Sequence, residues 1–193
     1  MKRWSILPFL IILLFFSRVC FSQDISARIS VINGGRVFFQ FNSLRDFENG
    51  IVLTDYTTIA LTVVDNDPGG GGTGAPDIIQ NFQVTVESFS SAGGDLVGTS
   101  GANLDADYIE VIPTRIAANG LDNATESYTS IFLSGASQTI LSSTQVEASW
   151  TTHQFNITYK CNPSEPGGNT LYGEVQDYYT TTLAFDLDVT FVP

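Results

Sequence analysis

Strict alternation of apolar and polar residues is the feature of this sequence that most limits its fold. In segment 183–191, five apolar residues alternate with Ala184, Asp186, Asp188 and Thr190. Segments 81–89 and 153–159 show the same period of two. Because side chains of a β-strand point alternately to its two faces, each segment predicts a strand with one buried and one wet face.

Weaker strand patterns occupy much of the remaining chain, at 25–32, 36–41, 59–64, 108–112, 130–133 and 138–141. Turns rich in glycine and asparagine separate the segments, for example at Asn33-Gly34-Gly35. The best helical candidate is a turn or two at 44–48. Antiparallel strands with one wet face, joined by such turns, predict an all-β sandwich rather than a parallel sheet.

The first 22 residues predict a signal peptide. Lys2 and Arg3 precede an apolar run at 6–16, and small residues lead to a cleavage site after Ser22. The apolar run is too short to span a bilayer, which takes roughly 20 helical residues. We therefore expect a secreted or cell-surface protein that begins near Gln23 and has no transmembrane segment after cleavage.

Residues 23–193 predict one β-sandwich domain. The low-complexity stretch 66–76 is rich in glycine and offers no side chain that could anchor a core. We interpret it as an exposed, mobile loop within that domain, because the preceding residues 23–65 are marginal for an independent core.

The charge balance argues against nucleic acid as a partner. The chain has 20 acidic residues and a formal net charge of −12. Signal cleavage would leave five basic residues and a net charge of −15. Such a chain repels phosphate backbones, so nucleic acid is not an expected partner. The acidic surface supports solubility and could recruit divalent cations.

Pairs of aspartates spaced two apart are the metal candidates. Asp65 and Asp67 open like a calcium loop, and Asp105 and Asp107 repeat the spacing. Loop carboxylates at this spacing can converge on one calcium ion, which takes six to eight oxygen ligands. No later acid completes an EF-hand after Asp67. No cofactor is expected, with calcium as the one alternative, while solvated acids remain the plainer interpretation.

Patterns for catalysis are lacking. His153 is the only histidine, and no Gly-x-Ser-x-Gly elbow accompanies it. We expect His153 to share the buried face of Phe155 in a structural role. Cys161 is the only cysteine after the signal and is expected to be a small buried residue. The sequence therefore predicts a protein that is not an enzyme.

Aromatic residues leave a carbohydrate-binding alternative open. Tyrosines are plentiful in the second half of the chain, at Tyr108, Tyr128, Tyr159, Tyr172, Tyr178 and Tyr179. An exposed aromatic row can stack on sugar rings, although aromatics more often pack in cores and strand pairs. Trp150 is the only tryptophan after the signal, which is few for a sugar-binding platform.

Two stretches carry a loose resemblance to known families. Phe41 to Ile51, with the strand through Val64, resembles the opening of exported bacterial surface proteins. The run Tyr178-Tyr179-Thr180-Thr181-Thr182-Leu183 through Phe191 is similar to the final strand of pilin-like and spore-coat-type sandwiches. The resemblance implies an extracellular structural or adhesive role, and not catalysis. The paired cysteines of fimbrial proteins have no counterpart here.

These patterns together predict a single antiparallel immunoglobulin-like or pilin-like β-sandwich. The leading hypothesis is an extracellular structural or adhesive surface protein, such as a filament or surface-layer subunit. It would self-associate or bind a host or surface ligand through loops and sheet edges. The alternative is a carbohydrate- or calcium-dependent ligand-binding module.

Overall fold

The protein is an all-β, antiparallel, sandwich-like fold, as the alternation predicts. The computed structural model describes residues 25–65, 78–116, 126–144, 150–164 and 166–192. The predicted signal peptide at 1–22 and the predicted glycine-rich loop at 66–76 lie outside these residues. The described strands form three sheets, which we name I, II and III.

Sheets I and II hold the long strands. Sheet I has the order β1-β3-β11-β7-β9, with β1 Ile25–Asn33, β3 Ile51–Asp65, β7 Ile109–Arg115, β9 Ile131–Phe132 and β11 Trp150–Cys161. Sheet II has the order β13-β4-β10-β8, with β4 Ile78–Phe89, β8 Glu126–Tyr128, β10 Gln138–Ser143 and β13 Thr182–Val192. All pairings in both sheets are antiparallel.

Sheet III is a small third sheet, whereas a β-sandwich needs only two. Its order is β2-β12-β5-β6, with β2 Phe38–Gln40, β5 Leu96–Gly98, β6 Asn103–Leu104 and β12 Tyr178–Thr180. The described helices are α1 Leu44–Asn49 and a 3₁₀ turn at Ala106–Tyr108. Neither is long and apolar enough to cross a membrane.

The helical turn predicted at 44–48 is confirmed, and its ends explain its position. Ser43 caps α1 through its hydroxyl, which accepts from the Asp46 N–H, while Asp46 Oδ2 accepts from the Ser43 N–H at 2.9 Å. This reciprocal pair satisfies donors that the first helical turn leaves open. Gly50 ends the helix with a φ of 72°, a conformation that favours glycine.

In two of the strands predicted most clearly, β4 and β11, the apolar residues of the alternation are buried, as predicted. Phe82, Val84 and Val86 of β4 are buried, and so are Phe155 and Ile157 of β11. Side chains from all three sheets meet in one hydrophobic core. The strands β5, β6, β8 and β12 have only two or three residues each, and the sequence pattern did not reveal them as strands.

The last strand, β13, has the predicted alternation but lies at an edge. Asp186 and Asp188 are exposed, and Leu183, Phe185 and Leu187 pack against the core. These apolar side chains are half-buried rather than fully buried, because β13 pairs with β4 on one side and with no described strand on the other. β13 therefore closes one border of sheet II instead of crossing the centre of the core.

Candidate functional site

An open cleft of about 700 Å³ lies where the edges of the three sheets come together. Its residues come from the end of β1 and the following loop, from β2, from the end of β4, and from β12 and the start of β13. Ligand sites are typically clefts of roughly 300–1,000 Å³, so the volume is suited to binding.

One wall of the cleft is a face of sheet III. Phe38 of β2, Thr180 of β12 and Val97 of β5 are directly opposed across the three strands and all line the cleft. Tyr178 lies two residues before Thr180 and therefore shares its face. The Tyr178 hydroxyl accepts a hydrogen bond from Gln40 Nε2 at 2.5 Å, which helps to orient the ring.

The facing wall is formed by the end of β4 and the start of β13. Phe89, Ser90 and Ser91 line it from β4 and the following turn, and Thr181 begins the turn into β13. The hydroxyl groups of Ser88 and Thr181 are 2.7 Å apart and hydrogen-bonded, which joins the two segments. The wall is thus built from neighbouring strands held in register.

The floor is tied to the loop after β1 by two hydrogen bonds. The buried Tyr159 hydroxyl donates to Thr57 Oγ1 at 3.0 Å, and Thr57 Oγ1 donates to the Gly34 carbonyl at 2.8 Å. Burial raises the pKa of Tyr159 to about 12, so the phenol stays protonated and keeps its role as donor. The loop that walls the cleft is therefore anchored to the central strands β3 and β11.

Gly34 is required by the same loop. Its φ is 69°, and a Cβ built there would lie 2.1 Å from the Tyr56 carbonyl oxygen. A side chain would therefore force the loop away from β3. This position explains the Asn33-Gly34-Gly35 turn signal in the sequence.

The lining is almost free of charge, although the chain is strongly acidic. None of the described residues that line the cleft is an acid, an amide, a histidine or a cysteine. Arg36 is the one charged lining residue; it is exposed and makes no salt bridge within the described part of the chain. The cleft therefore differs from the surface of a chain whose net charge is −12.

Exposed apolar side chains converge on this charge-poor cleft. Val31, Phe38, Phe89 and Tyr178 border it, and 46%, 50%, 70% and 47% of their surfaces are exposed. Large apolar groups left in water at a concave site mark a binding surface more often than isolated ones do. The cleft can offer apolar contact, hydroxyl hydrogen bonds and one guanidinium group, but it has no paired acid and base for proton transfer.

The position of Tyr178 depends on its neighbour Asp177. Both carboxylate oxygens of Asp177 accept hydrogen bonds: Oδ2 from the Ser100 hydroxyl at 2.6 Å and Oδ1 from the Tyr178 N–H at 2.7 Å. Thr99 also donates to Oδ1 through its hydroxyl. These donors, first among them Ser100 and Thr99, hold the pKa of Asp177 well below its usual range. Asp177 thus fixes the start of β12 to the β5–β6 turn.

The predicted calcium residues are only partly described. Asp105 is exposed and Asp107 is half-buried, on either side of the start of the 3₁₀ turn. Asp67 and the side chain of Asp65 lie outside the described residues. Within the described ranges, no group of three His, Cys, Asp or Glu side chains could hold a metal ion. Calcium binding at these aspartates remains a prediction.

His153 shares the buried face of Phe155, as predicted, and belongs to a buried cluster between sheets I and II. We call Arg115, Glu126, Tyr128 and His153 the charged cluster. Glu126 Oε2 lies 3.3 Å from Arg115 Nε and accepts from the Tyr128 hydroxyl at 2.9 Å. The same hydroxyl is 3.2 Å from His153 Nε2. The cluster joins β7 and β11 of sheet I to β8 of sheet II.

Burial dominates the titration of the charged cluster. It raises the pKa of Tyr128 far above the ordinary value, helped by the hydrogen bond to Glu126. Burial, and secondly the positive charge of Arg115, lower the pKa of His153 to about 4. His153 is therefore neutral at neutral pH. The Glu126 and His153 side chains are at most 1% exposed, whereas 22% of the Arg115 side chain is exposed. The acid and the histidine are therefore closed to ligands and serve the fold.

Cys161 is fully buried and forms no disulfide bond, as expected for a small core residue. Burial raises the pKa of its thiol to about 12. Because the thiolate is the reactive form, Cys161 is chemically inert in the folded protein.

Comparisons with known proteins add no relative. A scan of family models, a search of curated proteins and a search of solved structures each gave no match to this chain. The resemblance to exported, pilin-like and spore-coat-like surface proteins therefore remains a prediction.

Sequence reasoning named Tyr178 among the aromatics and in the resemblance to a final strand, and it missed Phe38 and Phe89. Both interrupt the alternation: Phe38 is exposed directly before the buried Phe39, and Phe89 is exposed directly after the buried Ser88. An aromatic residue on the wet face of an alternating strand is the signal that could have located the cleft.

Proposed function

We propose that the protein is an extracellular adhesive surface protein that acts by binding a ligand in the cleft. The observation that carries the proposal is the convergence of Val31, Phe38, Phe89 and Tyr178 on one charge-poor cleft. Exposing these side chains to water is unfavourable unless they gain contacts in a complex. The signal-peptide pattern at 1–22 supports a location outside the cell.

The composition of the cleft supports binding without catalysis. Hydrolysis of glycosides or peptides needs a placed acid, base or activated nucleophile. The described lining has hydroxyl groups but no histidine, and His153, the only histidine of the chain, is buried in the charged cluster between the sheets. The Ser and Thr hydroxyls are therefore suited to hydrogen bonding.

The open sheet borders support a second candidate, a filament or surface-layer subunit. β1 and β13 lie near each other without pairing, and each has a described strand on one side only. An open strand edge can pair with another copy of the chain. However, Asp186 and Asp188 are exposed on β13 and would come close to their own counterparts in a symmetric β13–β13 contact. That repulsion favours the adhesive role over assembly through β13.

The test is adhesion of beads coated with the purified protein to a panel of bacterial cells, extracellular-matrix proteins and polysaccharides, with and without calcium. We expect retention on at least one surface and its loss in the double variant Phe38→Ser with Phe89→Ser. Phe132→Ser is the matched control, because Phe132 is an exposed aromatic at the β9 edge and does not line the cleft. Equal retention of all variants, or no retention at all, contradicts the proposal.

Light scattering on the same samples separates the two candidates. A monomer that adheres supports the ligand-binding role. Concentration-dependent polymers that persist in the double variant support the subunit role, because the strand edges are unchanged in that variant.

A further inference from the structure

We propose that the ligand is an extended polypeptide segment that adds as a strand to the open edge of β13. This inference rests on the proposed binding function and specifies the ligand class for the same cleft. The segment has apolar residues at alternate positions and carries one carboxylate group.

The edges of the three sheets meet at the cleft. β1, β13 and β2 each lie at one end of sheets I, II and III, and all three contribute to the lining. Along its open side, an edge strand presents main-chain donors and acceptors that no described strand uses. An extended peptide complements such an edge residue by residue, which is a recurring mode of peptide recognition.

β13 offers the longest of these three sheet edges. β13 pairs with β4 over residues Thr182 to Val192, whereas β2 has three residues. Thr182, Leu183 and Phe185 of β13 line the cleft. At about 3.3 Å per residue, the stretch 182–185 accommodates a paired segment of roughly four residues within the cleft. β1 lies beside β13 without pairing with it, so no described strand is hydrogen-bonded to this edge.

The walls of the cleft offer the chemistry that such a strand needs. A strand added to β13 projects alternate side chains to each face, and Phe38, Phe89 and Val97 line the same cleft with apolar groups. Arg36 is the one charged group in the lining and can pair with a carboxylate through its planar guanidinium. Within the stretch 182–185, the described lining offers a basic side chain no acid to pair with.

The same walls argue against a carbohydrate. Sugar rings carry adjacent hydroxyl groups that both donate and accept hydrogen bonds, and carboxylates or amides can meet such pairs. The described lining has neither group, and its polar side chains are hydroxyls and Arg36. A peptide needs fewer polar side chains, because the β13 main chain supplies its hydrogen bonds.

The test is a random nonapeptide phage library panned against the purified protein, with prior removal of phage that bind the Phe38→Ser, Phe89→Ser double variant. A glycan array is probed in parallel. We expect enriched peptides with apolar residues at every second position and one Asp or Glu. The double variant should bind the synthetic form of such a peptide at least tenfold more weakly, and Phe132→Ser should bind it normally.

Backbone methylation of the enriched peptide tests strand addition itself. N-methylation of one alternate set of residues removes the donors facing β13 and should lower affinity at least tenfold. Methylation of the other set should change affinity less than threefold. Equal effects of both sets, or no effect of either, overturn edge pairing.

The carboxylate preference is tested at Arg36. Arg36→Gln should weaken binding of the acidic peptide and leave binding of its amide form unchanged. Arg45→Gln is the control, because Arg45 is exposed on α1 away from the cleft.

The parallel arms separate failure of the inference from failure of the proposed function. Glycans captured by the protein and lost in the double variant overturn the peptide assignment and leave the binding function intact. If neither library yields a binder that depends on Phe38 and Phe89, both proposals are overturned.

Discussion

The cleft and the charged cluster use polar groups in opposite ways. The cleft is open to water and nearly uncharged, with Arg36 as its one charged lining residue. The charged cluster is largely buried, yet it holds Arg115 against Glu126 at 3.3 Å beside a neutral His153. Among the described residues no carboxylate lines the cleft, whereas Glu126 lies buried where the two sheets are joined.

The two regions therefore have separate roles: the charged cluster stabilises the packing of the sheets, and the cleft is the proposed binding site. A buried ion pair favours one arrangement of the two sheets. Removing one partner leaves the other charge buried without compensation. A half-exposed apolar side chain contributes less to folding than a core side chain does, so its substitution should affect binding more than stability. The following predictions test this separation, from the largest expected effect on stability to the smallest.

Glu126→Gln should destabilise the protein by about 3 kcal/mol. The substitution removes the negative charge beside Arg115, and breaking a buried pair costs about 3–5 kcal/mol. We expect the lower end, because 22% of the Arg115 side chain still reaches water. Urea unfolding followed by tyrosine and tryptophan fluorescence measures the change. The control is Glu110→Gln, which breaks a more exposed and longer pair with Lys160 at 3.8 Å and should cost under about 1 kcal/mol. Equal losses would mean that burial of the pair is unimportant.

Acidification should destabilise the fold through His153 between pH 6.5 and 4. The folded-state pKa of about 4 is below the ordinary value of 6.5, so the unfolded chain binds the proton first. The contribution is complete above pH 6.5 and is lost as the pH falls towards 4, by roughly 2 kcal/mol after allowance for solvent screening.

His153→Gln should flatten this pH dependence, whatever its effect on stability at pH 7. The comparison is the slope of unfolding free energy against pH in the two proteins. The lowered pKa of Asp46 and that of Asp177 act at lower pH, where these carboxylates protonate. An unchanged slope in the variant would show that His153 does not titrate with the predicted shift.

Gly34→Ala should cost about 1–2 kcal/mol and also weaken ligand binding. The new Cβ must move away from the Tyr56 carbonyl, which disturbs the loop that walls the cleft. Gly35→Ala is a close control, because a Cβ there meets nothing within 4 Å. Thermal unfolding and binding are measured on both variants. Similar behaviour of the two would show that the loop is not anchored through Gly34.

Phe38→Ser should lower stability by about 1 kcal/mol while it abolishes adhesion. Half of the Phe38 surface is already exposed, so the substitution loses roughly half of the 1.5–3 kcal/mol that full burial of such a side chain contributes. Urea midpoints of this variant and of Phe132→Ser should agree, and adhesion should distinguish them. A large loss of stability at Phe38 would mean that the cleft wall also serves the fold.

Much of the strand content could be predicted because long strands display a period of two. The predicted segments at 81–89, 153–159 and 183–191 are all confirmed as strands. Short strands such as β5 and β6 could not be predicted, since two or three residues show no period. The edge position of β13 also escaped prediction, because alternation reveals which side chains share a face and not which strand lies beside it.

The two polar regions were predictable to different degrees. The buried face of His153 follows from its spacing to Phe155. Its partners do not, because Arg115 and Glu126 reach it only after sheets I and II have stacked. The cleft likewise depends on the meeting of three sheets. Its only signal in the sequence is the pair of aromatic residues on wet strand faces, Phe38 and Phe89.

The pairing of Arg115 with Glu126 has a consequence for how this chain can change over evolutionary time. Arg115 ends β7 and Glu126 begins β8, so the two ends of the connection at 116–125 are held by side chains 3.3 Å apart. Doubling the length of a connection costs only about 0.6 kcal/mol in closure entropy. Because Arg115 and Glu126 hold these two ends together by their own contact, the junction of β7 and β8 should survive a change in the length of chain between them, and the expected cost of that change is the closure entropy alone.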